Sequence, residues 1–99
     1  MNDKDYIMTL INTQDFIEGY WEENEKTKNI EIKYDKEFNL LKNKNFSDNV
    51  SITVLIIFFI NKEHPQLLDE LLMIIKKAKE FIKKSTNISY EDIIKEINI

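Results

Sequence analysis

The sequence predicts an all-α fold: a small bundle of about five helices in one domain spanning residues 1–99. Three observations lead there. The chain holds one glycine and one proline in 99 residues, too few for the many tight turns of an all-β sandwich. Apolar residues recur at three- and four-residue intervals through most of the chain, the spacing that puts them on one side of a helix. The one long apolar run, Val50 to Ile60, has no comparable second run to pair with as a strand.

Each element follows from local pattern. From Asp3 or Asp5 to Ile11, the residues Ile7, Leu10 and Ile11 share a face, and the acidic residues sit where they favour a helix start. Thr13 to Trp21 contains the only glycine, Gly19, together with Phe16, Tyr20 and Trp21, and reads as an ordered, partly buried connection. Trp21 is expected in the core and not at an exposed binding position. Ile30, Tyr34, Phe38 and Leu41 then form a stripe that predicts one long amphipathic helix from about Glu23 to Lys42. Alternation over Ile30 to Tyr34 also suits a strand, but the stripe continues through Leu41 and favours the helix.

Asn43 to Phe46 is a loop, and Ser47 or Asp48 can cap the next helix by accepting a hydrogen bond from a free backbone N–H. Val50 to Ile60 reads as a central helix buried on nearly all sides. Pro65 fits the first turn of a fourth helix, with His64 or Glu63 at its entrance. That helix shows Leu67, Leu71, Ile74, Ile75, Ala78 and Ile82 on one side and runs to about Lys84, where Ser85 to Asn87 breaks it. Ser89, with Asp92 three residues on, makes an acidic variant of the capping box for a last short helix over Ile93, Ile94 and Ile97.

Composition excludes much chemistry. Eighteen acidic residues against 14 basic ones give a net charge of −4, and every base is lysine. There is neither a strong cationic field nor an arginine fork for phosphates, so no specific nucleic-acid partner is expected. The absence of cysteine removes disulfides, Cys-ligated zinc and thiol nucleophiles, and one histidine cannot by itself build a metal site or a triad. No enzyme activity, metal or cofactor is expected. The acidic opening residues do not resemble a secretory leader, and the eleven-residue apolar run falls short of the roughly 20 needed to span a bilayer. These readings predict a soluble, cytoplasmic chain with no membrane insertion.

Two charged clusters have plain explanations. Asp15, Glu18, Glu22, Glu23 and Glu25 read as solvated surface or helix-start charge. They lack the concave site of paired catalytic carboxylates and the glycine-turned loop of a calcium site. Lys76, Lys77, Lys83 and Lys84 read as charge complementing the negative end of the fourth helix, with a phosphate or membrane contact as the sharper alternative. His64 beside Pro65 reads as a helix-entry residue, not a ligand.

The informative stretch is Gln14-Asp15-Phe16-Ile17-Glu18-Gly19-Tyr20-Trp21. A helix end is followed by a glycine-permitted turn that returns a large aromatic to the core, with the glutamine amide free to satisfy backbone groups. It resembles the Gln-x-x-Asp-Gly-x-Trp signature at a helix end in the C-terminal helical domain of proteins that carry a VIT domain and a von Willebrand type A domain. That family includes the vault poly(ADP-ribose) polymerase. Gln14, Glu18, Gly19 and Trp21 carry the match, with Glu18 standing for the family's aspartate and one residue more in the turn. Val50 to Leu55 takes the place of the family's Ala-Thr-Ala-Leu-type buried helix. Leu71 to Ile82 looks like its closing Leu-Leu-x-Lys-Ala-x-x-Trp-Leu helix, with Phe81 for the tryptophan.

The resemblance implies a non-enzymatic protein-interaction domain that docks a longer VIT and von Willebrand A protein onto the major vault protein shell or a similar intracellular assembly. The alternative is an intramolecular structural cap on the parent's own von Willebrand A or VIT domain. Candidate partner contacts are Phe16, Ile17, Lys76, Lys77, Lys83 and Lys84. An α/α-toroid enzyme fragment, which shares a Gln…Gly-x-Trp element, would need a cavity far larger than 99 residues enclose.

Overall fold

Burial of one central helix organises the molecule. In the computed structural model, which describes residues 3–97, six α-helices and one 3-10 turn follow in order: α1 (Asp3–Ile11), α2 (Glu25–Lys33), α3 (Asp35–Asn43), α4 (Asp48–Glu63), the turn Pro65–Leu67, α5 (Leu72–Thr86) and α6 (Tyr90–Glu96). No strand forms among the described residues. The fold is an all-α globule with a radius of gyration of 12.3 Å, close to the roughly 13 Å of a compact 100-residue domain. Met1, Asn2, Asn98 and Ile99 lie outside the described residues.

The run Val50 to Ile60 is helical, and every residue of it is buried. α4 can bury its whole circumference because α2, α3, α5 and the 3-10 turn pack around it. Ser47 caps it, its Oγ accepting from the Val50 N–H at 3.2 Å. Thr53 satisfies its hydroxyl on the Asn49 carbonyl at 2.6 Å. Ser51 is different: its Oγ is buried and finds no partner among the described residues. An unsatisfied buried hydroxyl costs about 1–3 kcal/mol, and alanine is the better helix former. Ser51→Ala is therefore expected to raise the unfolding free energy by about 1 kcal/mol or more in urea titrations. A lower midpoint would show that the hydroxyl is engaged.

Two expected helices are divided differently. The stripe Ile30, Tyr34, Phe38, Leu41 exists, but Tyr34 (φ −112°, ψ 43°) leaves helical geometry and splits the segment into α2 and α3. Tyr34 is nonetheless buried, its hydroxyl donating to Glu63 at the end of α4, where Lys33 pairs with the same carboxylate at 2.6 Å. The corner is thus pinned by a Lys33–Glu63–Tyr34 cluster. Burial pushes the Glu63 carboxyl up, but hydrogen bonds from Lys33 and Tyr34 outweigh it and hold the group below its usual range. α2 starts at Glu25, capped by Asn24, and not at Glu23. The Asn24 side chain accepts from the Lys26 and Thr27 N–H groups at 2.8 and 3.0 Å, and Thr27 Oγ1 accepts from the Asn24 N–H at 2.7 Å, a reciprocal capping box.

The fourth expected helix does not begin at Pro65. Pro65–Leu67 is a 3-10 turn, and α5 starts at Leu72. His64 closes α4, its N–H donating to the Ile60 carbonyl at 2.9 Å, and its ring sits edge-on to Phe59 at 5.2 Å. Ser85 and Thr86 belong to α5, which ends at Asn87 in a left-handed conformation (φ 64°), a geometry asparagine tolerates better than most residues. Ser89 caps α6, accepting from the Asp92 N–H at 3.1 Å.

Tyr90 anchors α6 in the core, and burial pushes its hydroxyl up to about 12 despite a hydrogen bond with Asn61. A folded-state value above the free value of about 10 stabilises the protein fully below pH 10. That contribution is lost as pH rises through the folded value. Melting temperature is accordingly expected to fall above about pH 10, and Tyr90→Phe should flatten that decline. Equal slopes for the two proteins would remove Tyr90 as its cause.

Candidate functional site

The segment from Gln14 to Trp21 is a closed loop clamped at both ends. Asp15 donates its N–H to the Tyr20 carbonyl and receives the Gly19 N–H on its own carbonyl, both at 2.8 Å. Its carboxylate accepts from the N–H groups of Ile17 at 3.0 Å and Glu18 at 2.7 Å. Asp15 is thus a turn-forming residue. The Gln14 amide donates to the Gly19 carbonyl at 2.9 Å and to the Ile74 carbonyl of α5 at 3.2 Å, the backbone-satisfying role its position suggested.

Gly19 is required twice over. Its φ is +91°, and a Cβ there would stand 2.8 Å from both Cγ and the carbonyl oxygen of Lys77. The bare backbone lets the loop lie directly on α5. Lys77 extends its Nζ to donate to the Phe16 carbonyl, and Tyr20 packs on Phe81 with ring centroids 5.0 Å apart. Trp21 ends the loop in the core at 0% exposure. Its Nε1–H donates to the Leu10 carbonyl and its backbone N–H to Thr53 Oγ1, each at 3.0 Å. Trp21 therefore ties the loop to α1 through its indole and to α4 through its backbone.

What the loop leaves outside is apolar. Phe16 is 80% exposed and Ile17 70%. On α5, Met73, 72% exposed, lines the same groove as Phe16, and Leu72, 61% exposed, lines a separate hollow with Ile75, Lys79 and Lys83. Among the described residues these are four of the five exposed large hydrophobics, the other being Ile32 on α2. A groove of about 430 Å³ runs between Phe16 and Gln14 on one wall and Met73, Ile74 and Lys76 on the other. Past Lys77 and Glu80 it continues into a smaller hollow of about 190 Å³ beside Ile17, Phe81 and Lys84.

The sequence-predicted contacts fall on this surface unevenly. Phe16 and Ile17 form its outer wall. Lys76 and Lys77 lie early in α5, not at its C-terminal end, so the helix dipole does not account for them. Lys83 and Lys84 do sit in the last turn, where Lys83 Nζ donates to the Asn87 carbonyl at 3.0 Å. Glu18 is exposed beside Ile17. Leu72 and Met73 escaped the sequence reading, although five successive apolar residues, Leu71 to Ile75, cannot all face inward on a helix packed on one side.

No three His, Asp or Glu side chains converge among the described residues in a way that could hold a metal ion. No helix among them is long and apolar enough to cross a membrane. No family model, curated protein or solved structure matches the chain.

Proposed function

We propose that this chain is a non-enzymatic protein-interaction domain whose docking face is the loop Gln14–Trp21 together with the outer side of α5. The observation that carries the reading is the gathering of Phe16, Ile17, Leu72 and Met73, all largely exposed, around the grooves of one helix. Singly exposed apolar residues are ordinary, but several massed along a groove suit a macromolecular partner. The side chains lining the grooves are aliphatic, aromatic, lysine and glutamate with one glutamine, Gln14.

The resemblance of the Gln14–Trp21 turn to the vault-associated family supports the shell of the major vault protein as the partner of a longer parent protein. Binding of the purified chain to purified major vault protein tests this. The double variant Phe16→Asp/Met73→Asp should weaken binding by at least about tenfold, as expected for central apolar contacts, with an unchanged melting temperature. Undiminished binding would remove the face from the interaction. Absence of binding, with association to the parent's own von Willebrand A or VIT domain instead, would favour the intramolecular cap.

A further inference from the structure

Opposite charges sit one helical turn apart at the middle of α5. Lys76 and Glu80 are both exposed, at the spacing that places them on one side of the helix, and neither makes an ion pair among the described residues. They form a ridge between two hollows. Both line the groove beside Phe16 and Met73, and both line the hollow of about 410 Å³ beside Leu72 and Ile75. The other lysines of α5 are engaged within the chain. Lys79 pairs with Glu91 at 3.1 Å, Lys77 donates to the Phe16 carbonyl, and Lys83 donates to the Asn87 carbonyl at 3.0 Å. Lys84 shares the smaller hollow with Glu18.

A ridge that carries one charge of each sign is complementary to itself. Given a half-turn about an axis between Lys76 and Glu80, a second copy of α5 runs antiparallel to the first and sets Lys76 of each copy on Glu80 of the other, so that one contact generates two. Met73 lies three residues before Lys76. It then falls on the second copy three residues past Glu80, at the smaller hollow walled by Ile17 and Phe81.

We infer that this face is a two-fold interface between two copies of this chain, with reciprocal Lys76–Glu80 pairs at its centre and Met73 of each copy seated in the hollow of the other. The inference rests on the reading of this surface as a docking face and adds what covers it in the free chain. A second copy and a foreign partner then compete for Phe16 and Met73. α5 has 15 residues and is about 22 Å long, so the contact belongs at the small end of specific interfaces, and the dimer forms and dissociates with concentration.

Sedimentation equilibrium of the whole 99-residue chain over a concentration series tests this. Wild type should show a monomer–dimer equilibrium. Lys76→Glu or Glu80→Lys alone sets like charges against each other on both sides of the axis and should weaken dimerisation at least about tenfold. The double variant Lys76→Glu/Glu80→Lys exchanges the two charges, restores both pairs and should return to within about threefold of wild type. An equimolar mixture of the two single variants should dimerise where neither does alone, because only a mixed dimer opposes unlike charges at both contacts. Met73→Asp should leave a monomer. All three positions are exposed, and circular dichroism checks that each variant keeps its helix content.

A chain monomeric at every concentration would overturn the inference, and the interaction reading would still stand or fall on Phe16→Asp/Met73→Asp in the vault-protein assay. A dimer indifferent to Met73→Asp would overturn the inference by placing the interface on another surface. A dimer that the exchanged charges do not restore, and that mixing does not rebuild, would equally overturn it. Growth beyond the dimer would replace the two-fold contact with a head-to-tail one.

Discussion

Trp21→Ala is expected to cost about 3–5 kcal/mol of unfolding free energy, the usual range for truncating a buried large aromatic. Against a typical total of about 5–15 kcal/mol, that is a drop in melting temperature of at least roughly 12 °C for a domain this size. The site gives reasons for the upper part of the range. The indole is fully buried and its Nε1–H donates to the Leu10 carbonyl, which also accepts from the Thr13 N–H and hydroxyl, so truncation opens a large cavity and removes one hydrogen bond without leaving that carbonyl unpaired. Phe16→Ala, five residues earlier and largely exposed, should stay within about 0.5 kcal/mol of wild type. Thermal melts of the two variants separate core from contact surface. An unchanged melting temperature in Trp21→Ala, with lost partner binding, would move the indole to the interface.

Gly19→Ala is expected to be the most disruptive single-methyl addition in the chain. Backbone strain at its positive φ costs about 1–3 kcal/mol, and the new methyl also meets Lys77. Two of the three nearest atoms are backbone of α5, at 2.8 and 2.9 Å, which cannot swing aside like a side-chain tip. The loop must lift, and the Gln14 bond to Ile74 and the Lys77 bond to Phe16 go with it. Hydrogen exchange is the direct readout. The Gly19 amide, whose partner is the Asp15 carbonyl, defines the wild-type protection, and faster exchange is expected over the loop while α4 stays protected. Exchange unchanged along the loop would show that it accommodates the methyl in place. Partner binding should fall as well, because Phe16 loses its fixed position over α5.

Much of this arrangement was legible in the sequence. Trp21, Gly19 and Gln14 took the positions their chemistry suggested, because a lone glycine before a lone tryptophan leaves few alternatives. Val50 to Ile60 formed a helix despite its β-branched residues, in keeping with the lack of a second apolar run of comparable length to pair with it as a strand. The break at Tyr34 was hidden by periodicity itself. Ile30, Tyr34 and Leu41 all face the core across the corner, so the stripe reads as unbroken although the backbone is not. The start of α5 was hidden similarly, because Leu67 and Leu71 are both buried at a spacing of four that a 3-10 turn and its exit reproduce. The Asn24–Thr27 box could have been found, since Asn-x-x-Thr ahead of a helical stripe is a start signal. Of the exposed apolar surface, Phe16 and Ile17 were singled out in the sequence but Leu72 and Met73 were not. Burial on α5 depends on which neighbours cover it, and a sequence of consecutive apolar residues does not say which will remain outside.

The complete enclosure of α4 also governs what happens when the protein is damaged. Val54 to Ile60 is seven residues without a charge, a glycine or a proline, mostly β-branched or aromatic. As an extended strand that composition is the signature of cross-β stacking. Within the native protein its backbone is spent on helical bonds and its side chains on α2, α3 and α5, so the segment is inert. Any opening that frees it releases a fibre-prone heptapeptide instead of a harmless coil. Fibril growth, followed by thioflavin fluorescence at a fixed protein concentration, should therefore track the population of chains in which α4 has lost its cover. A variant such as Trp21→Ala would betray itself as aggregate before it could be collected as unfolded monomer.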